Sequence, residues 1–412
     1  MPSIKSRQNT GLHIPDPICR PGDEPDFSGL IIPEAGSVPR PNFDAEEQTL
    51  RSLPYGLIRT LDDKGEAKGD WQPNASLESL IIALKTMLLN RAFDAAMFAA
   101  QRQGKTSFFM KTSGEEALGA VPSLALRKDD MCFPTYRMVG WLLARGYPII
   151  DLINQIYNNA EDPLKGRQLP ILYSAREYGF YSLSGNVGSR IGHGVGWAMA
   201  KAYRGLDSLA MAVIGEGTTA EGDYHEALTF ASVYKAPVIL CVTNNQWAIS
   251  TFSGIAGAEE TTFAAQALGY GIPGLRVDGN DTLAVWSVLE WAAKRARAGL
   301  GATLIEFFTY RAEGHSTSDD PTKYRPKDEP TIWPLGDPVN RLKQYLTNQS
   351  AWDEKRHQEA ISQAKLKVKK AAKAAEDIGI LGTSKSDIEE MFKHVFEEPD
   401  WRIKEQVKEV GI

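Results

Sequence analysis

A chain of 412 residues with 42% hydrophobic content is long enough to bury a large α/β core and still carry extensions. A formal net charge of -6 with a pI near 5.7 argues against a nucleic-acid binder, and no apolar stretch is both long and uncharged enough to span a bilayer. Cys19, Cys132 and Cys241 form no metal-ligand spacing, and Met1 to Arg20 lacks both the apolar core of a secretory signal and the pattern of a transit helix, so a reducing cytoplasmic setting is expected.

Residues 1–73 are rich in Pro, Gly and Asp with short apolar patches such as Leu30-Ile31-Ile32, which predicts an extended arm. The patches suggest that it lies on another surface, a second subunit being one candidate; a floppy tail is the alternative. From Ser76 the apolar residues Leu80, Leu84, Met87, Leu88, Phe93, Met97 and Phe98 recur every three or four positions, so a compact domain opens on a helix and is read as 74–330. A second helix is predicted from Glu115 to Leu126. The strand Met131-Cys132-Phe133 then delivers Tyr136-Arg137, whose phenol and planar guanidinium suit phosphate oxygens.

Ser184 to Gly196 is glycine-rich and is read as a loop leading into a helix over 197–203. Such a run can mimic a dinucleotide fingerprint, which makes a nicotinamide enzyme a rival reading. The rival is weakened because no convincing buried strand precedes the run. His193 reads equally as packing or as a cap.

The apolar run Leu209 to Ile214 shows no alternation and ends in Gly215-Glu216-Gly217, as a buried parallel strand does. Asp223 and Glu226 resemble a capping box at the start of the next helix, and a second buried strand, Val238 to Val242, runs into Thr243-Asn244-Asn245. The right-handed βαβ crossover brings both strand ends to one carboxyl edge, where open α/β sheets bind ligands. Gly215 and Gly217 allow close backbone approach, while Glu216 and an Asn amide offer hard oxygens to magnesium. Either half alone reads as a turn; together they predict a magnesium diphosphate site.

A third βαβ stretch, from Leu275 through a helix to the strand 303–310, delivers the loop Arg311 to Asp320 to the same edge. His315 in that loop is the candidate acid–base group, with an ordinary pKa near working pH. Asp353 to Glu376 is a charged helical stretch within a C-terminal extension, 331–412.

Gly215-Glu216-Gly217 with Asn244-Asn245 resembles the thiamin diphosphate signature, with Glu216 standing where Asp is usual. From Leu53 to Arg325 the chain resembles the alpha subunits of branched-chain 2-oxo acid dehydrogenases. The segments Gln101 to Met110, Gly114-Glu115-Glu116, Gly166-Arg167-Gln168 and Gly314 to Asp320 favour that family over the pyruvate and acetoin enzymes. The resemblance implies a doubly wound, mostly parallel α/β sheet of the thiamin diphosphate-binding type. It implies magnesium ligation by Glu216, Asn245 and the Trp247 carbonyl. Cofactor contacts would come from Tyr136, Arg137, Ser184, Gly185, Gly215, Gly217, Thr218, Thr243 and His315, with Val187 supporting a bent cofactor and Asn244 in a structural role.

The implied activity is decarboxylation of a branched 2-oxo acid with acyl transfer to a lipoyl group. It requires a separate beta subunit carrying the pyrimidine-binding half and its Glu, in an α2β2 tetramer, and a lipoyl-bearing acyltransferase core. A non-catalytic scaffold subunit is a further rival. Three departures stand out. Thr243 replaces a frequent Arg. Arg190 replaces a Gln that helps bind potassium in animal relatives, so no potassium site is expected. Ser316 and Ser318 match positions phosphorylated in animal relatives, where added charge would repel a diphosphate.

Overall fold

The computed structural model describes residues 11–383, 388–394 and 396–412. Five strands form the main sheet: β1 (Met131–Phe133), β2 (Ala210–Gly215), β3 (Val238–Asn244), β4 (Gly274–Asp278) and β5 (Thr303–Phe308). They lie in the order β1-β2-β3-β5-β4, and every neighbouring pair is parallel. Ile58 extends this edge by a parallel bridge to Val277.

The strands lack alternation because both sheet faces are buried. Met211, Val213, Ile239, Cys241, Ile305 and Phe307 enter one core, shared with helices α1 (Leu77–Arg102), α2 (Glu116–Ala125) and α5 (Thr282–Arg297). The intervening Ala212, Ile214, Leu240, Val242 and Leu304 enter the other, shared with α3 (Ser189–Tyr203) and α4 (Gly222–Val233). The expected doubly wound sheet is thus present.

Helix starts follow side-chain chemistry. Ser76 Oγ accepts from Ser79 N at 3.1 Å to cap α1, and Asp281 Oδ1 accepts from Leu283 N and Ala284 N to cap α5. The other Asp281 oxygen accepts from Thr60 N and Leu61 N, which ties the N-terminal segment to the sheet edge.

Two local expectations are corrected. The Asp223–Glu226 capping box does not form: α4 starts at Gly222 behind Glu221, which makes no side-chain cap, and Asp223 sits in the first turn, where its charge complements the helix dipole. The glycine-rich run is loop only to Gly188, and α3 starts at Ser189 with Gly192, Gly194 and Gly196 inside it. Helix wins over glycine's poor propensity because α3 lies tight on β2: a Cβ at Gly194 would stand 2.7 Å from Ala212 Cβ.

The arm docks on the chain's own domain. Within the arm Trp71 donates to Pro39 O; beyond it Trp291 donates to Pro41 O and Arg295 to Phe43 O, while Phe27 packs edge-on against Trp333 and Tyr310 at 5.2 and 6.0 Å. Residues 1–10 of it lie outside the described residues. At the other end, the charged helix Glu354–Ile378 packs on α1 and on Ile149–Tyr157. Among the described residues no helix is long and apolar enough to cross a membrane.

Candidate active site

Strand register places the motif halves together. Gly215 pairs with Thr243 at the carboxyl ends of β2 and β3, so Glu216 and Asn245 leave the sheet at one edge, and Arg311 N donates to Asn245 O at 3.2 Å just past β5. A cavity of about 410 Å³ opens there. All thirteen residues singled out from sequence line it: Tyr136, Arg137, Ser184, Gly185, Val187, Gly215, Glu216, Gly217, Thr218, Thr243, Asn245, Trp247 and His315.

The glycines act as expected of close approach. A Cβ at Gly217 would stand 2.6 Å from Ala248 Cβ, whereas one at Gly185 or Gly215 would meet no protein atom within 4 Å. The latter two therefore border open space rather than packed protein. Asn186 Oδ1 accepts from Gly188 N and Ser189 N, which folds the 184–188 loop onto the start of α3.

Glu216 is 2% exposed, and its Oε1 has no hydrogen-bond partner. Burial, with Glu115 nearby, pushes its carboxyl up to about 7. An orphaned carboxylate oxygen at this depth is the observation expected where a cation belongs. The Asn245 amide nitrogen donates to Glu115 Oε1 at 2.8 Å, and Asn245 Oδ1 accepts only the 3.3 Å bond from Trp247 N. The Trp247 carbonyl accepts from Arg311 Nη1 at 2.7 Å and keeps a second lone pair. One carboxylate, one amide oxygen and one carbonyl form a hard-oxygen set that suits magnesium. No group of three His, Cys, Asp or Glu residues that could hold a metal occurs among the described residues. Asn244 is structural: its amide donates to Glu306 at 2.9 Å.

His315 departs from expectation. Burial, with the Arg137 and Arg311 guanidiniums beside it, pushes its pKa down to about 3. It therefore enters the site as a neutral imidazole. Its carbonyl accepts from Arg137 Nη2 at 2.8 Å, its N–H donates to Asp319 Oδ2 at 2.6 Å, and its ring stands edge-on to Tyr136. Ser316 Oγ, in the next residue, accepts from Ser318 N at 3.2 Å.

Several contributors were not singled out from sequence. Glu115, 4% exposed, lies 3.5 Å from Arg137 Nε and holds the Asn245 amide. Arg311, 1% exposed, donates to the carbonyls of Trp247 and Ile249 and to the Tyr324 hydroxyl, lashing the 245–249 turn to the 311–325 loop. That turn holds two non-glycine residues at positive φ, Gln246 at 74° and Ile249 at 57°. Phe108, Met110, Ile171 and Leu172 supply apolar walls. An acid opening a helix and an Arg ending a strand carry no distinctive local pattern; only the paired Glu115-Glu116 after a glycine offered a signal.

Two families of known proteins match the chain. The family described as Dehydrogenase E1 component matches residues 84–384, and the one described as 2-oxoisovalerate dehydrogenase E1 alpha subunit N terminal matches residues 9–48. The chain is 51% identical over 402 residues to the 2-oxoisovalerate dehydrogenase subunit alpha of Pseudomonas aeruginosa, covering 97% of this chain and 98% of that protein. It is 36% identical over 359 residues to the mitochondrial alpha subunit of Dictyostelium discoideum (85% and 79% covered) and 35% identical over 356 residues to that of Mus musculus (86% and 79% covered). The chain belongs to the dehydrogenase E1 component family, among the 2-oxoisovalerate dehydrogenase alpha subunits.

Proposed function

We propose that this chain is the alpha subunit of a branched-chain 2-oxo acid dehydrogenase, carrying out thiamin diphosphate-dependent oxidative decarboxylation with acyl transfer to the lipoyl group of an acyltransferase core. The observation that carries the reading is the buried Glu216 Oε1 without a partner, set among twelve other motif residues around one cavity at the sheet edge. Its metal role is read as ligation of magnesium with Asn245 Oδ1 and the Trp247 carbonyl. When bound, the cofactor supplies the electron sink for loss of carbon dioxide.

The chain's own residues hold and orient. Arg137 and Tyr136 face the diphosphate, Gly185, Gly215 and Gly217 admit it, Ser184, Thr218 and Thr243 offer hydroxyls, and Val187 supports the bent conformation. His315, neutral before an anion arrives, is suited to accept a proton once a diphosphate offsets the two guanidiniums beside it. We read residues 1–73 as the arm, 74–330 as the cofactor domain and 331–412 as a helical extension.

A beta subunit supplying the pyrimidine-binding half and its Glu completes the proposed α2β2 assembly. Support for a protein partner comes from α4, where Phe230, Val233 and Tyr234 fall on one helix face at 50, 69 and 60% exposure. The test is ferricyanide-linked decarboxylation of 3-methyl-2-oxobutanoate and of pyruvate, with thiamin diphosphate and magnesium, for this chain alone and co-expressed with its partner. Activity only in the pair, with the branched substrate preferred, is expected. A preference for pyruvate would transfer the reading to the sister enzymes, and no cofactor-dependent turnover by a verified pair would overturn it.

A further inference from the structure

The cavity wall carries a second cation, Arg190, that no carboxylate touches among the described residues; Glu221 acts on it only from beyond ion-pair distance. The lining contains two arginines, Arg137 and Arg190, and two carboxylates, Glu115 and Glu216. Arg137 has Glu115 at 3.5 Å. Arg190 is 4% exposed, and among the described residues no carboxylate comes within 4.0 Å of it. Its Nη2 donates to the Ser184 carbonyl at 3.0 Å, and its Nε is buried without a partner.

Position makes the isolation more costly. Arg190 is the second residue of α3, a helix of 15 residues, where the aligned peptide dipoles give a positive end; Asn186 Oδ1 already takes Gly188 N and Ser189 N there, and the Glu221 and Asp223 carboxylates stand beside Gly188. Acidic residues are favoured there and a guanidinium is not. A buried guanidinium with an unpartnered Nε and no carboxylate within ion-pair distance, at the positive end of a helix, is a local conflict of the kind that marks a binding site. An arriving oxyanion would answer the guanidinium's charge.

We propose that Arg190 forms an oxyanion subsite on the cavity wall, taking a phosphoryl group of the cofactor or the carboxylate of the 2-oxo acid. The proposal rests on the functional reading above only for the identity of those two anions. Through Ser184 the same side chain fixes the 184–188 loop, so Arg190 contributes one donor to the loop.

The test uses the complex of this chain with its partner, as parent, R190Q and R190K. Calorimetric titration with magnesium pyrophosphate, without thiamin cofactor, reads the phosphoryl arm. The KM for 3-methyl-2-oxobutanoate at saturating cofactor reads the carboxylate arm. R190Q is expected to weaken one of the two by at least roughly tenfold, the loss of one charge-assisted hydrogen bond, with R190K recovering part of it. R190Q within twofold of the parent in both arms overturns the proposal. So does an equal loss in R190K and R190Q, which would show loop fixation alone. Should R190Q fail to fold, crystals of the parent complex soaked with each anion decide: an oxygen within hydrogen-bonding distance of Arg190 supports the subsite, and its absence from both overturns it. Pyrophosphate binding that depends on Arg190, in a complex that decarboxylates no 2-oxo acid, would keep the subsite and sink only the functional reading.

Discussion

The Asn245 amide and the Glu115 carboxylate, 130 residues apart, are joined by a 2.8 Å hydrogen bond that fixes which end of the amide faces the cavity. With its nitrogen held, Asn245 can offer only Oδ1 to a cation. Glu115 also stands 3.5 Å from Arg137, so one buried carboxylate orients both the proposed metal ligand and the guanidinium proposed to face phosphate. Glu115→Ala should lower magnesium affinity by about 10–100-fold, as loss of a ligand-orienting partner does. It should also cost roughly 3–5 kcal/mol of stability by leaving Arg137 buried and unpaired. Magnesium titration and urea unfolding check the pair, and an unchanged metal affinity would show that Asn245 needs no such orientation.

Metal and proton should compete for Glu216. Its carboxyl is raised from 4.5 to about 7 in the folded chain, so the folded state holds a proton that the unfolded state has lost. The stability linked to it is whole below pH 4.5 and disappears as pH rises through 7, a swing on the order of 3 kcal/mol. Magnesium binding at pH 6 should therefore release about one proton and at pH 8 almost none. Titration in buffers of different ionisation enthalpy measures this directly; pH-independent proton release would contradict it.

His315 has the opposite sign. Its folded pKa of about 3 lies below the ordinary 6.5, so the unfolded chain binds the extra proton first. The stability linked to it is whole above pH 6.5 and is lost as pH falls toward 3. His315→Asn should flatten the difference in unfolding free energy between pH 7.5 and pH 5, measured without cofactor. An identical difference in parent and variant would mean that another group carries it.

Gly114 is where two parts of the site cross. It sits at φ +94°, a Cβ there would collide with the Tyr310 carbonyl oxygen, and beside it Ala312 N donates to Ser113 O at 3.0 Å. Gly114→Ala should destabilise by roughly 2–4 kcal/mol, combining positive-φ strain with overpacking. It should also loosen the 311–315 segment, seen as faster amide exchange there. Exchange confined to the 113–116 side would show that the crossing transmits nothing.

The strands and the thirteen cavity residues were legible because they follow local rules: apolar runs for strands buried on both faces, then Gly, Glu or Asn where the chain turns at a sheet edge. What escaped depends on neighbours distant in sequence. Glu115 looks like an ordinary acid opening a helix until Asn245 and Arg137 are beside it. The His315 shift requires two arginines that converge only in the fold, and the early start of α3 requires Ala212 to accept a glycine face. The failed Asp223–Glu226 cap shows the reverse case, a local pattern that the backbone simply entered one residue earlier.

The docking of Phe27 against Tyr310 and Trp333 has a temporal side. Those rings join Trp247 and Tyr324 in one apolar cluster behind the site, so Phe27 covers a wall assembled from residues far later in the chain. During translation Phe27 must wait for Trp333 until more than three hundred residues have followed it. Its closure over that wall is thus the step that reports the site as complete, and a ribosome-bound chain halted before Trp333 should leave the arm open to protease while the finished chain protects it.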